Sequence, residues 1–184
     1  MTAPSLAGLI DQQIEKLNPN SSKEERAALA KVVAAALEKG SSIADAMKLP
    51  KDQLEFIYSY AIDLYEARKY EDASKSFLYL FYVQPKDPRF VFGYAASLHK
   101  LNQYEKAVHH YLLATAGDPT NPTAWFHGAD CYVNLGNVAA ADAMLTRGIE
   151  IAAEQSQYQQ LKQGALALKE VIAEYTQRGA APQS

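Results

Sequence analysis

One cysteine, Cys131, stands among 184 residues, so no disulfide can close within the chain and packing must hold the fold. No apolar run approaches the roughly 18 residues a membrane helix needs, and membrane insertion is not expected. Neither sign of charge dominates. The 18 Lys and Arg against 21 Asp and Glu leave a net charge of −3, which offers no electrostatic footprint for nucleic acid or an anionic membrane. The opening residues, MTAPSLAGLIDQQIEKLNPN, carry acid early and lack a basic start followed by a long apolar core. With the single thiol, that predicts a soluble cytosolic chain. Also missing are the GxxxxGKS/T, GxSxG and HExxH spacings that cradle phosphate, present a nucleophile or hold zinc.

What the chain does have is a period. YEDASKSFLYLFYVQP, from Tyr70 to Pro85, returns 34 residues later as YEKAVHHYLLATAGDP, from Tyr104 to Pro119. Ala61, Ala95 and Ala129 keep that spacing, as do Ala73, Ala107 and Ala141. So do Leu64, Leu98 and Tyr132, then Phe77, Tyr111 and Leu145. Small residues and large ones at fixed places every 34 residues mark a tetratricopeptide helix-turn-helix repeat. The alanines permit close approach of two helices, and the larger side chains fill the space between them. Pro85 and Pro119 stop the second helix of a unit, while Pro88 and Pro122 can begin the next, where a missing N–H costs nothing. Trp125 takes the place that Ile57 and Val91 hold in the earlier units.

The expected fold is therefore all-α, with three tandem repeats over 54–87, 88–121 and 122–155 winding into a superhelix. An N-terminal helical region (1–53) precedes them. In it, Ser22 and Glu25 form a capping pair and Gly40 stands at a helix C-terminus. A capping helix (156–178), with Leu161, Ala165, Leu168, Ile172 and Tyr175 on its apolar side, and a disordered tail (179–184) follow.

Against this frame the candidate chemistry is thin. His109 and His110 take the places of Lys75 and Ser76, surface types, and read as a solvated helix face. His127 and Cys131, four residues apart, supply two metal ligands where a site needs more, so a packed thiol is expected. No catalytic residue, metal or cofactor is predicted.

The concave face offers more. Residues at i, i+4 and i+7 of each first helix share that face, and the stripe holds Tyr58, Ile62 and Tyr65, then Phe92, Ala96 and His99, then Phe126 and Asp130. Apolar side chains there are not needed by the repeat columns and call for an occupant. Cargo, the N-terminal helices and a second copy are all candidates. Tyr58 and Ile62 stand where co-chaperone repeats that grip an acidic tail carry basic and amide groups. An extended segment with apolar anchors, prolines and leucines among them, fits better.

LEFIYSYAIDLYEARKYEDASKSFLYLF, and DPRFVFGYAASLHKLNQYEKAVHHYLLATAGDPTNPTAWFHGADCYVNLGN after it, strongly resemble the class II chaperones of bacterial type III secretion systems. The likeness spans about residues 38–175, including the lead-in GSSIADAMKLPKDQLEFIYSYA. It implies a cytoplasmic bacterial protein that binds extended N-terminal segments of hydrophobic translocators and keeps them soluble before export. The family's pocket positions fall on Tyr58, Ile62, Tyr65, Phe92, Ala96 and His99. The resemblance also implies a homodimer formed through the N-terminal helices, and some relatives assist a transcription activator once their cargo has left. A general tetratricopeptide scaffold that joins folded proteins is the other reading of the residues.

Overall fold

A computed structural model describes residues 5–17 and 19–180. Every regular element among them is helical: α1 (Leu6–Leu17), α2 (Lys23–Lys39), α3 (Ile43–Ala46), α4 (Lys51–Glu66), α5 (Tyr70–Val83), α6 (Pro88–Lys100), α7 (Tyr104–Gly117), α8 (Thr123–Asn134), α9 (Val138–Ala152), a 3-10 turn (Ser156–Tyr158) and α10 (Gln159–Ala180).

Helices α4 to α9 form three antiparallel pairs stacked in sequence, each packing on the next. Close approach depends on the alanine columns: Ala61, Ala73, Ala95, Ala107, Ala129 and Ala141 are all fully buried. Around them Phe77, Leu80, Leu98, Tyr111 and Leu145 are buried as well, each worth roughly 1.5–3 kcal/mol over an exposed side chain. The first helix of the first pair begins at Lys51, three residues ahead of the expected 54, behind Pro50 as its N-cap. Pro88 opens α6, whereas Pro122 sits one place earlier, as the N-cap of α8.

The turn inside each pair repeats to the residue. Arg68, Asn102 and Gly136, spaced by 34, take positive φ of 61°, 57° and 70°. In all three, the next N–H donates back across the turn: Lys69 to the Leu64 carbonyl, Gln103 to Leu98 and Asn137 to Tyr132, each at 2.9 Å. This left-handed termination satisfies carbonyls that the helix end leaves free and folds the second helix back on the first.

The ends of the stack differ. At the C-terminus α10 packs on α9 and touches α8, burying Ala165 and Ile172, and Lys169 Nζ reaches Asp142 Oδ1 at 2.6 Å. Helix α10 runs to Ala180, two residues into the stretch expected as tail, because no proline interrupts the chain between Gln159 and Ala180. Residues 181–184 of that expected tail lie outside the described ones. At the N-terminus α1 and α2 form a hairpin that meets the repeats through α3, which packs on α5. Ser22 caps α2 in a reciprocal box with Glu25, and Gly40 ends it at φ 64°. Arg26 ties the hairpin together, its Nη2 2.9 Å from Glu15 Oε1.

Candidate functional site

Helices α4, α6 and α8 line the concave side, and among them opens a cavity of about 360 Å³. Seven of the eight stripe residues expected from the sequence line it: Tyr58, Ile62, Tyr65, Phe92, Ala96, His99 and Asp130. Residues of the N-terminal hairpin are not among its lining, so that possible occupant of the groove stays outside this cavity.

Phe126 is the exception and a correction. The register places it level with Phe92, but it is buried with α9 and α10 rather than open to this cavity. The reason is Gly148: a Cβ there would lie 2.5 Å from Phe126 Cε1, so the missing side chain leaves the space that the ring fills. Repeat three contributes His127 instead, a residue read from its spacing only as a neighbour of Cys131.

Phe77 and Tyr111, read as core columns, also reach the cavity. Each is about 1% exposed, so the floor of the trough is the top of the core. Tyr58 lies edge-on to Phe77 with ring centres 6.0 Å apart, and Phe92 lies edge-on to Tyr111 at 5.7 Å. Gly93 lets this happen, because a Cβ at that position would sit 2.5 Å from the Phe77 ring.

The walls differ in polarity. From α4 come Tyr58, Ile62 and Tyr65; from α8 come only His127 and Asp130. His99, on α6, joins the two sides: its Nε2 lies 3.0 Å from Asp130 Oδ2, and its Nδ1 lies 3.5 Å from the Tyr111 hydroxyl. Both contacts are met when Nε2–H donates to Asp130 and Nδ1 accepts from the Tyr111 hydroxyl. That hydrogen bond holds the Asp130 carboxyl below its ordinary value, against the effect of burial. His127 stacks on Tyr111 with ring centres 5.8 Å apart, and burial first, then the neighbouring His99, lowers its pKa. Burial raises the Tyr58 and Tyr65 hydroxyls, so both remain neutral hydrogen-bonding groups.

Arg89 marks the rim and its charge is already engaged. It meets Glu55 and Asp87 at 2.6 Å each and lies 4.8 Å from the centre of the Tyr58 ring. A cargo carboxylate would have to displace two partners to reach it.

Nothing here activates a nucleophile. The Cys131 thiol is buried among α6, α7 and α8, and burial pushes its pKa up to about 12, which keeps it protonated. Among the described residues no group of three or more His, Cys, Asp or Glu is placed to hold a metal ion. His109 is exposed as expected, but His110 corrects the solvated-face reading. Its ring packs edge-on to Tyr94 at 4.7 Å, and its Nδ1–H donates to the Lys106 carbonyl at 2.8 Å. The first helix of the same repeat supplies Tyr94, and Phe81 of the preceding repeat lies edge-on at 6.2 Å, neighbours that sequence position does not reveal.

Two tetratricopeptide-repeat profiles match the chain, over residues 58–122 and 98–164. Low calcium response locus protein H of Yersinia pestis is 32% identical over 136 residues, which span 74% of this chain and 81% of that protein. Among solved structures, the Yersinia enterocolitica type III secretion chaperone SycD in complex with a peptide of the translocator YopD superposes with a TM-score of 0.67. It is 32% identical, over 68% of this chain and 95% of that one. SycD is also described as an alternative dimer. PcrH of Pseudomonas aeruginosa, in complex with the chaperone binding region of PopD, has a TM-score of 0.68 at 30% identity, over 70% of this chain and 96% of that one.

Proposed function

The chain belongs to the class II tetratricopeptide chaperones of type III secretion, and on that premise we propose that its trough holds an extended segment of a hydrophobic translocator in the bacterial cytoplasm. The observation that carries this reading is the convergence of Tyr58, Ile62, Tyr65, Phe92, Ala96, His99 and Asp130 on one open cavity. SycD with a YopD peptide and PcrH with a PopD region support the class of partner.

The physics suits an extended chain. Apolar side chains of the cargo gain by leaving water for the wall of Tyr58, Ile62 and Phe92. Proline and leucine anchors fit that wall, and proline loses little freedom on ordering. The cargo backbone still needs hydrogen-bond partners once covered, and the Tyr58 and Tyr65 hydroxyls with the His99–Asp130 pair are the groups at hand. Ordering the segment costs roughly 1–2 kcal/mol per residue, which keeps affinity moderate and lets the cargo be handed over. Covering its apolar stretches meanwhile lowers the surface available for aggregation.

Self-association is assigned to the N-terminal hairpin. Leu6, Leu9, Leu29 and Leu37 are all exposed there, and the SycD dimer supports a second copy as what covers them.

Co-expression with the N-terminal segments of candidate hydrophobic translocators tests the reading, wild type beside Tyr65→Ala. A soluble complex that co-purifies with wild type and weakens with the variant, whose helicity is unchanged, is the expected result. A well-folded chain that retains no translocator segment but captures a folded partner would favour the general scaffold instead.

A further inference from the structure

A second hollow of about 480 Å³ opens on the far side of α8, between that helix and α10. It shares His127 and Asp130 with the first cavity, so the two are neighbours across one turn of α8 rather than separate sites. Phe126, Leu145, Leu161 and Leu168 give it apolar walls. Gly164 lies among them, and a Cβ built there meets nothing within 4 Å. That glycine is not required by a close helix contact; it lines open space. Leu161 is 40% exposed, although its helix otherwise caps the repeats.

We propose that this hollow is a second anchor site, which takes an apolar side chain of the same extended segment that occupies the first cavity. The inference rests on the cargo reading above and adds to it where the segment goes next. Continuity argues for the same occupant: a chain leaving the first cavity past repeat three crosses His127 and Asp130 and arrives over Gly164. Asp130 Oδ2 accepts from His99, while Oδ1 is left to accept a backbone N–H of the crossing segment. The walls choose the anchor, since leucine, isoleucine or an aromatic ring fits their apolar surface, whereas a charged side chain would be stripped of water without a partner. Neighbouring helices pack roughly 8–10 Å apart and an extended chain advances about 3.3 Å per residue. Passing from the first cavity over α8 to the hollow beside α10 crosses about one to two such spacings, so the additional anchor lies about three to six residues beyond the last one held in the first cavity.

Gly164→Leu separates this site from the first. The new Cβ has open space, the rest of the side chain extends into the hollow, and the substitution removes a glycine from a helix interior, so the variant should melt no lower than wild type. From the translocator retained in the co-expression test, two synthetic peptides are made: the shortest segment that binds, and that segment extended by six residues at both ends. Binding is read by fluorescence anisotropy. The extended peptide should bind wild type about tenfold more tightly than the short one. Gly164→Leu should erase that gain and leave the affinity for the short peptide unchanged. Leu161→Ser should reduce the gain as well. No gain on extension, a gain that survives Gly164→Leu, or equal weakening of both peptides would each overturn the second anchor. Failure of every translocator segment to bind wild type would instead sink the cargo reading, and this proposal with it.

Discussion

Arg68 carries a Cβ in a left-handed conformation where the equivalent turns use asparagine and glycine. That conformation is unfavourable for most side chains by roughly 1–2 kcal/mol, and asparagine tolerates it better than arginine does. Arg68→Gly should therefore raise the melting temperature by a few degrees, recovering on the order of 1 kcal/mol, as thermal denaturation would read. Arg, Asn and Gly share no chemistry, so this column is invisible in the sequence although its spacing is the same 34 residues as the alanine columns. A second residue-scale effect concerns pH. His127 and His110 both have pKa values lowered from 6.5, first by burial. The unfolded chain then binds these protons more readily than the folded one, so stability rises with pH through this range and falls as pH drops below 6.5. Asp130, held below 3.8, keeps its contribution until the solution is far more acidic. Melting temperature should drop between about pH 7.5 and pH 5.5, and His127→Gln should flatten part of that drop. A drop of the same size in the variant would show that His127 stays accessible to protons in the fold.

At the scale of the element, the pairs are held by what is missing from their seams. Ala95 is fully buried between α6 and its neighbours, and close packing leaves little room to relax. Ala95→Leu should cost about 1–3 kcal/mol through overpacking, read as a lower denaturant midpoint. An unchanged midpoint would mean that the seam is looser than its burial indicates. These columns were legible because the repeat forces one chemical type on three equivalent places. The Ser22–Glu25 box and the Gly40 termination of α2 were legible too, since capping depends on residues within one turn. Phe126 was not. Its fate depends on Gly148, a residue 22 positions away on another helix, and periodicity alone cannot say which way a ring will turn. His110 fails for the same reason, its partner Tyr94 lying 16 positions earlier on the first helix of the same pair.

Across the whole molecule, the repeats bury their faces on one another, α10 covers one end, and the hairpin of α1 and α2 extends from the other. Its exposed leucines predict association. The mass measured by sedimentation should rise with concentration toward a dimer, and Leu29→Glu with Leu37→Glu should hold the chain as a monomer without loss of helicity. A wild-type chain that stays monomeric at all accessible concentrations would remove the hairpin as the dimer surface. The sequence by itself determined the class of fold, the number of repeats, their register and most of the concave stripe. Each of these follows from a period, and a period is a local property repeated. Only the tertiary structure decided that Phe77 and Tyr111 are both core and floor, that His127 replaces Phe126 in the trough, and that His99 pairs with Asp130. It alone places α10 so that a second hollow opens beyond α8. These depend on which side chain finds empty space beside it, and that space is made by residues distant in the chain.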